Sequence, residues 1–538
     1  MKPQAHLAWW WAVLALVGAL AACQSNPKDP KTWVAKLNND DPQVVADALD
    51  HLRQLDAKSA LGPVEAALKS DDMGVRSEAA QALQAFGEKS AVKPLAAAVD
   101  IYSSASGADD ANIHIAQALG ALGDKAALPA LTKMVEAARP LVRVAAVEAL
   151  GKLGDPSSVE PLIRLVEDQS TPPLITKEAI IALGAMRAAP AVRALEEALV
   201  MERMGISFFP EASYALFQIG QPAAVALLKI LNGEDKPYLK WADDNNRAAA
   251  GYLSKAAIIE ADLDYTAAVP QIVKLMQWND PNGDPGKTLL LRGEVASALG
   301  RLRATAAARP IAGQVNVEEA NIRHQYAFAL ARIGDESVIP KLVDAAKNKT
   351  DTWGAREEAI EGLALLGGAR EKPVLDALLK EETPDAAFKE CMAEDTNESA
   401  DVQKAHCQEA GKARQAFLTE ELAVLLTGDE CKKDPKCWIG KLADKREHVR
   451  ERAAYTLGEL GAPEAVDPLV VACKDKSLAV RHAAYIALAW LSYVPATKSE
   501  LKAKAAALSA QYVAEKGHAL TQIVNEDLKR DVWRLDHL

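Results

Sequence analysis

Six cysteines and nine histidines are the most chemically versatile side chains of this 538-residue chain. Cys391, Cys407, Cys431, Cys437 and Cys473 lie in its last third, four of them between 391 and 437. Crowded thiols can pair with one another or, joined by His406, ligate zinc. No C-x₂₋₄-C pair is present, and zinc sites usually need one. GDPGKT (283–288) ends like a phosphate-binding loop, but Pro281 stands where that loop needs its first glycine. Asp280-Pro-Asn282-Gly-Asp284 spaces oxygen ligands as a calcium loop does. Pro285 then occupies the glycine position, and Leu291 that of the bidentate glutamate. There is no G-x-S-x-G, H-E-x-x-H or C-x-x-C run. The expectation is therefore no catalytic residue, no metal, no cofactor and no enzyme.

Composition narrows the classes further. The 62 Lys+Arg against 74 Asp+Glu leave a net charge of −12, which speaks against nucleic acid, since phosphate binding needs clustered cations. An apolar share of 49% excludes disorder. With only 5% aromatics and abundant alanine, the chain reads as helical.

Repetition organises it. VRSEAAQALQAFGEKSAVKPLAAAV (75–99), VRVAAVEALGKLGDPSSVEPLIRLV (142–166) and VRERAAYTLGELGAPEAVDPLVVAC (449–473) share one plan. An amphipathic stretch ends at a turn, and an apolar-x-Pro-Leu segment comes next. Gly123-Asp124, Gly154-Asp155 and Gly184-Ala185 are expected to mark successive turns about 31 residues apart. The glycine supplies a left-handed stop, and Asp124, Asp155 and Asp335 cap the next helix. Pro94, Pro129, Pro161, Pro270, Pro340 and Pro468 fall in the first turn of the second helix. The recurring Arg76, Arg143, Arg323, Arg356, Arg450 and Arg481 read as structural links to a neighbouring turn. This pattern resembles the HEAT repeat, in its short phycobilisome lyase HEAT-like variety. The resemblance implies an all-α, right-handed α-solenoid of about twelve helix pairs with one helical insertion. Members resembling the iron-binding deoxyhypusine hydroxylase carry His-Glu dipeptides; here no histidine precedes a glutamate.

The N-terminus has the layout of a secretory signal: Lys2, the run LAWWWAVLALVGALAA, then Leu20-Ala21-Ala22-Cys23. The last four residues resemble the lipobox of bacterial lipoproteins. That resemblance implies lipidation of Cys23, anchoring in a membrane and, with Gln24 next in the chain, an outer-membrane position facing the periplasm. In that oxidising space the thiols would pair. The most economical arrangement is Cys391–Cys407 and Cys431–Cys437, with Cys473 on an apolar helix face. The expected organisation is signal peptide 1–22, lipidated tether 23–32, solenoid 33–380, acidic cysteine-containing insertion 381–437, further repeats 438–494 and capping helices 495–538, anchored by Trp533.

Breaks in the array are where function is grafted. They occur at 101–110, 200–209, 233–246 and 278–288, and at 381–430, where thirteen acidic residues face four basic ones. The expectation is an envelope scaffold or adaptor that binds another periplasmic or outer-membrane protein through its solenoid surface and the 381–437 insertion. The alternative is an enzyme, or a ligand or glycan binder, sited in the insertion loops or in 200–290, with Trp241, Trp278 or Trp353 lining a groove.

Overall fold

A computed structural model describes residues 26–314, 320–393, 399–492 and 494–515, together with Leu535. Cys23 and Trp533 lie outside the described residues. The chain divides between Ile219 and Gly220 into two compact units. Both are helical; among the described residues, Glu202–Arg203 and Ile206–Ser207 form the one pair of strands, antiparallel, with Arg203 opposite Ile206. No single described helix is long and apolar enough to cross a membrane.

Most repeats couple a long helix to a 3₁₀ turn and a short helix. Examples are Met73–Phe86, Lys89–Ala91 and Val92–Ala97 in the first unit, and Glu447–Glu459, Pro463–Ala465 and Val466–Ala472 in the second. Long helices pack on the long helices of the next repeat, and each short helix covers its neighbour's apolar stripe. The turn chemistry is set by residue type. Gly123, Gly154 and Gly334 take positive φ, a conformation that costs glycine nothing. The carboxylates of Asp124, Asp155 and Asp335 accept from the backbone N–H two residues on, satisfying donors that a helix start leaves orphaned.

Four of the six recurring arginines are structural links; Arg143 Nε is buried without a hydrogen-bond partner. Arg76 Nε donates to Ser70 O (2.6 Å), Arg356 Nε to Ala346 O (3.0 Å) and Arg481 Nη1 to Asp475 O (2.8 Å). Arg450 forks onto Asp475 at 2.8 and 2.9 Å. The side chain of Arg323 is outside the described set. The break at 200–209 is the strand hairpin, fastened to the preceding repeat by the buried Arg203. Its Nη2 donates to Val166 O (2.6 Å) and its Nη1 to Thr176 Oγ1 (2.9 Å).

Gly184 departs from the expected turn. It lies inside the helix Pro173–Ala185, and Arg187 adopts the left-handed conformation instead, at φ 50°. The reason is a second glycine series. A Cβ on Gly184 would stand 2.7 Å from Ala215 Cα; on Gly120, 2.8 Å from Ala149 Cα; on Gly151, 2.8 Å from Ala182 Cβ; and on Gly458, 2.7 Å from Ala487 Cα. These glycines let successive long helices touch, and Gly300 does the same against Ala329. The test is a pair of substitutions. Gly151→Ala should lower stability by about 1–3 kcal/mol through overpacking. At Gly62 nothing stands within 4 Å of an added Cβ, so Gly62→Ala should stay within about 1 kcal/mol of the parent, on the stabilising side. Equal urea midpoints for the two variants would show that the glycine series does not set the helix spacing.

Candidate functional site

The segment 381–437 forms three helices, Pro384–Met392, Ala400–Cys431 and Pro435–Lys441. Residues 400–413, polar and rich in alanine, pair with Pro384–Met392 as a hairpin. Further along the same helix an apolar run begins. With Leu418, Val424 and Leu425 buried, it packs against Trp353–Leu366, Lys372–Glu381 and Glu447–Glu459. This half takes the place of a long repeat helix, with Pro435–Lys441 as its short partner. Only the hairpin is added to the array.

Cys391 and Cys407 join the two arms of that hairpin with Cα atoms 5.5 Å apart, and Cys431 and Cys437 close the next turn at 5.3 Å. Cys473 belongs to neither pair and is buried in the core of the C-terminal repeats. The hairpin base rests on a buried charge network. Glu382, 4% exposed, accepts from Arg356 Nη2 at 2.7 Å and from Arg414 Nη1 at 2.9 Å. Burial works against its charge, but the two guanidiniums outweigh that and hold its carboxyl below the usual range. Arg414 also reaches Glu390 (2.7 Å) and lies 4.2 Å over the Trp353 ring. Trp353 meets Phe417 edge-on at 6.2 Å, and Phe417 meets His448 at 5.9 Å.

His448 opens a second constellation. On Glu447–Glu459, positions 448, 451, 452 and 455 share one face, because helix neighbours fall three and four residues apart. Val449, Ala453 and Leu457 fill the core on the other face. The polar face meets Glu421, which is 1% exposed, from Ala400–Cys431 and Glu361 from Trp353–Leu366. His448 Nδ1 is hydrogen-bonded to Glu421 Oε1, and its Nε2 lies 3.7 Å from Glu420 Oε2. The bond to Glu421 outweighs burial and holds the imidazole up at about 9. Burial, with Glu358, Glu421 and Glu451 adding repulsion, pushes Glu361 up to about 9. Burial raises Glu451 to about 7, raises Glu421 and lowers Arg452 to about 10. Arg452 Nη1 donates to Val424 O (3.1 Å) and also to Ala364 O, tying three helices together. Beside it a cavity of about 80 Å³ is lined by Arg332, Arg452, Tyr455, Thr456 and Glu459 among others. Such clefts with displaced titration are where acid–base chemistry is found.

None of these seam residues was singled out from the sequence, because 361, 421 and 448 are far apart in the chain. The available signal was the 448/451/455 spacing of polar residues on a helix with an apolar opposite face. The residues that were singled out fall elsewhere. His406 is exposed, and among the described residues no three His, Cys, Asp or Glu side chains are placed to hold a metal ion. Asp280 accepts from the N–H groups of Asn282 and Asp284, and Asp284 caps Pro285–Arg301, so both carboxylates organise their own turn. Trp353 is packed against Arg414 and Phe417, and Trp241 lies against Tyr238 with ring centres 5.6 Å apart.

The buried network gives a direct test. Glu382→Gln leaves the buried Arg356 and Arg414 with only the part-exposed Glu390 as counter-charge, and removing one member of a buried pair costs about 3–5 kcal/mol. Glu381→Gln, which breaks the exposed pair with Lys349, should leave the denaturation midpoint unchanged. An unchanged midpoint in both variants would mean that the network does not hold the hairpin base.

Known proteins share both the repeats and part of the chain. Residues 30–104, 104–174, 135–206, 314–392 and 438–520 match the family described as HEAT repeats, more than half of the chain. The curated deoxyhypusine hydroxylase of Neurospora crassa is 27% identical over 171 residues, covering 30% of this chain and 52% of that one. The Candida albicans deoxyhypusine hydroxylase is 26% identical over 188 residues, covering 34% and 57%. The chain thus spans about half the length of these curated relatives. Among solved structures, yeast importin-β (Kap95p) superposes with a TM-score of 0.43 at 11% identity, covering 94% of this chain and 76% of that one. Human deoxyhypusine hydroxylase gives 0.23 at 22% identity, covering 52% and 98%. The curated matches overturn the expectation that the chain is not an enzyme. That expectation rested on missing contiguous motifs, and such a search is blind to groups assembled from separate helices. The repeated glycine turns, the paired helices and the family match lead to one conclusion: the chain belongs to the HEAT-repeat family.

Proposed function

We propose that this protein is a lipid-anchored adaptor of the bacterial cell envelope, held through Cys23 and engaging a partner protein with the hairpin formed by Pro384–Met392 and residues 400–413. The HEAT solenoid is a fold consistent with a protein-binding scaffold. One observation carries the hairpin's role: it projects from the array, tied across its arms at Cys391 and Cys407 and fixed at its base by Arg356, Glu382 and Arg414. A preorganised surface loses little conformational entropy on binding. Val402 is 55% exposed on it, among charged neighbours. The lipobox-like Leu20-Ala21-Ala22-Cys23 supports the anchor, and the paired cysteines suit an oxidising compartment.

Crosslinking in intact cells, with affinity purification and mass spectrometry, tests both parts. The parent should capture a stoichiometric envelope protein. Val402→Asp with Lys404→Glu, surface changes that leave the core intact, should lose it. Cys23→Ser should lose membrane association while the hairpin stays competent. Identical partners for the parent and the hairpin variant would reject the hairpin as the contact surface.

A second, enzymatic reading is favoured by one observation, the match to two curated deoxyhypusine hydroxylases. The iron-binding pattern expected of that resemblance does not fit here. No histidine precedes a glutamate, and the described residues offer no three-ligand group. Acid–base chemistry on this chain would instead use His448, Glu361 and Glu451. Elemental analysis of the purified protein separates the two forms of the reading. Stoichiometric iron would restore the hydroxylase form, and its absence would leave only the acid–base groups to examine.

A further inference from the structure

Three helices meet around His448 in a seam rich in titratable side chains. Trp353–Leu366 presents Glu358 and Glu361, and Ala400–Cys431 presents Glu420 and Glu421. Glu447–Glu459 presents Glu447, His448, Glu451 and Arg452, and Arg332 faces Glu451 from Ala320–Ile333. Six carboxyls thus meet Arg332, Arg452 and His448, with Arg446 and Arg450 reaching only Glu420 and Glu447 at the edge of the seam. Arg452 already donates into the carbonyls of Ala364 and Val424, so it cannot neutralise the carboxylates on its own. A Cβ on Gly428 would stand 2.7 Å from Arg452 Cζ, so the guanidinium lies flat against the Gly428 backbone.

The seam is also where the hairpin helix joins the C-terminal repeats. Ala400–Cys431 touches Trp353–Leu366 on one side and Glu447–Glu459 on the other. We propose that this seam is a proton-operated latch. With His448 protonated against Glu421 and with Glu361 and Glu451 neutral, the hairpin helix is seated between its two neighbours. Loss of those protons sets carboxylates from three helices against one another and loosens Glu447–Glu459 from the hairpin helix.

Linkage sets the direction. His448 titrates higher in the folded chain than its ordinary value of 6.5. Its contribution is complete below that value and is lost as pH rises through about 9. Glu361 and Glu451 also titrate above their ordinary 4.5, near 9 and near 7. The folded seam therefore binds more protons than the unfolded chain from mild acid to about pH 9. Each group makes it less stable as pH rises from its ordinary value to its folded one: Glu451 up to about 7, Glu361 and His448 up to about 9. The inference stands whether or not the hairpin carries a partner.

Hydrogen exchange of the full-length protein, corrected for intrinsic rates, reads the latch directly. Peptides covering 417–431 and 447–459 should lose at least tenfold in protection between pH 6 and pH 9, while those covering 140–153 in the first unit change less. Glu361→Gln with Glu451→Gln mimics the neutral carboxyls. This variant should match the parent at pH 6, which shows that it folds, and keep most of its seam protection at pH 9. Equal losses in parent and variant, or protection in the parent that is flat with pH, would overturn the proposal.

Discussion

At five crossings, successive long helices approach so closely that one of them can carry no side chain at all. Gly120, Gly151, Gly184, Gly300 and Gly458 occupy that place, and each faces an alanine of the next long helix. Backbone contact of this kind brings the long helices together, and interior close packing leaves no slack to adjust the spacing. Three residues further on, at Gly123, Gly154 and Gly461, a second glycine turns the chain into the short helix. In these three repeats one short motif fixes both the spacing to the next repeat and the point of reversal; after Gly184 and Gly300 the reversal falls to Arg187 and Arg303.

Close spacing has an electrostatic consequence. Side chains on the open face of the long-helix layer are crowded by their counterparts one repeat away. In the first unit Glu178 is pushed up by burial and by Glu148, and Ser77 Oγ sits 2.6 Å from His114 Nδ1. In the second unit the same face carries more acid, and the effect grows into the seam of Glu361, Glu421, His448 and Glu451. A carboxyl in such a place is tolerated in two ways: it keeps its proton, or it finds a cation. Glu361 does the first. Glu382 does the second, between Arg356 and Arg414.

Much of the fold was legible because its determinants are local. A Gly-Asp turn, a proline in the first turn and an arginine at a fixed offset act within a few residues of themselves, so their spacing betrays them. Gly184 was misread because a packing glycine and a turn glycine look alike in sequence; only the partner, Ala215, tells them apart. The acidity of 381–437 masks the apolar positions Leu418, Val424 and Leu425, which keep the helical period of a repeat. The seam was invisible for a different reason. Its members come from three helices and acquire their chemistry only when burial brings them together, which no contiguous motif records.

The 32-residue helix Ala400–Cys431 joins these themes. Its C-terminal half is bound to the seam through Glu421, its middle to the charge network through Arg414, and its N-terminal half to the other arm of the hairpin through Cys407. A helix rises about 1.5 Å per residue, so about 25 Å of uninterrupted helix separates Glu421 from Lys404. It contains no proline, and Gly411 lies against the Pro384 backbone, so nothing along its length invites a kink. A rigid element pinned in its middle behaves as a lever. A change of seating at Glu421 must either strain the Arg414–Glu382 contact or be passed to the hairpin. The buried, doubly paired Glu382 resists that strain.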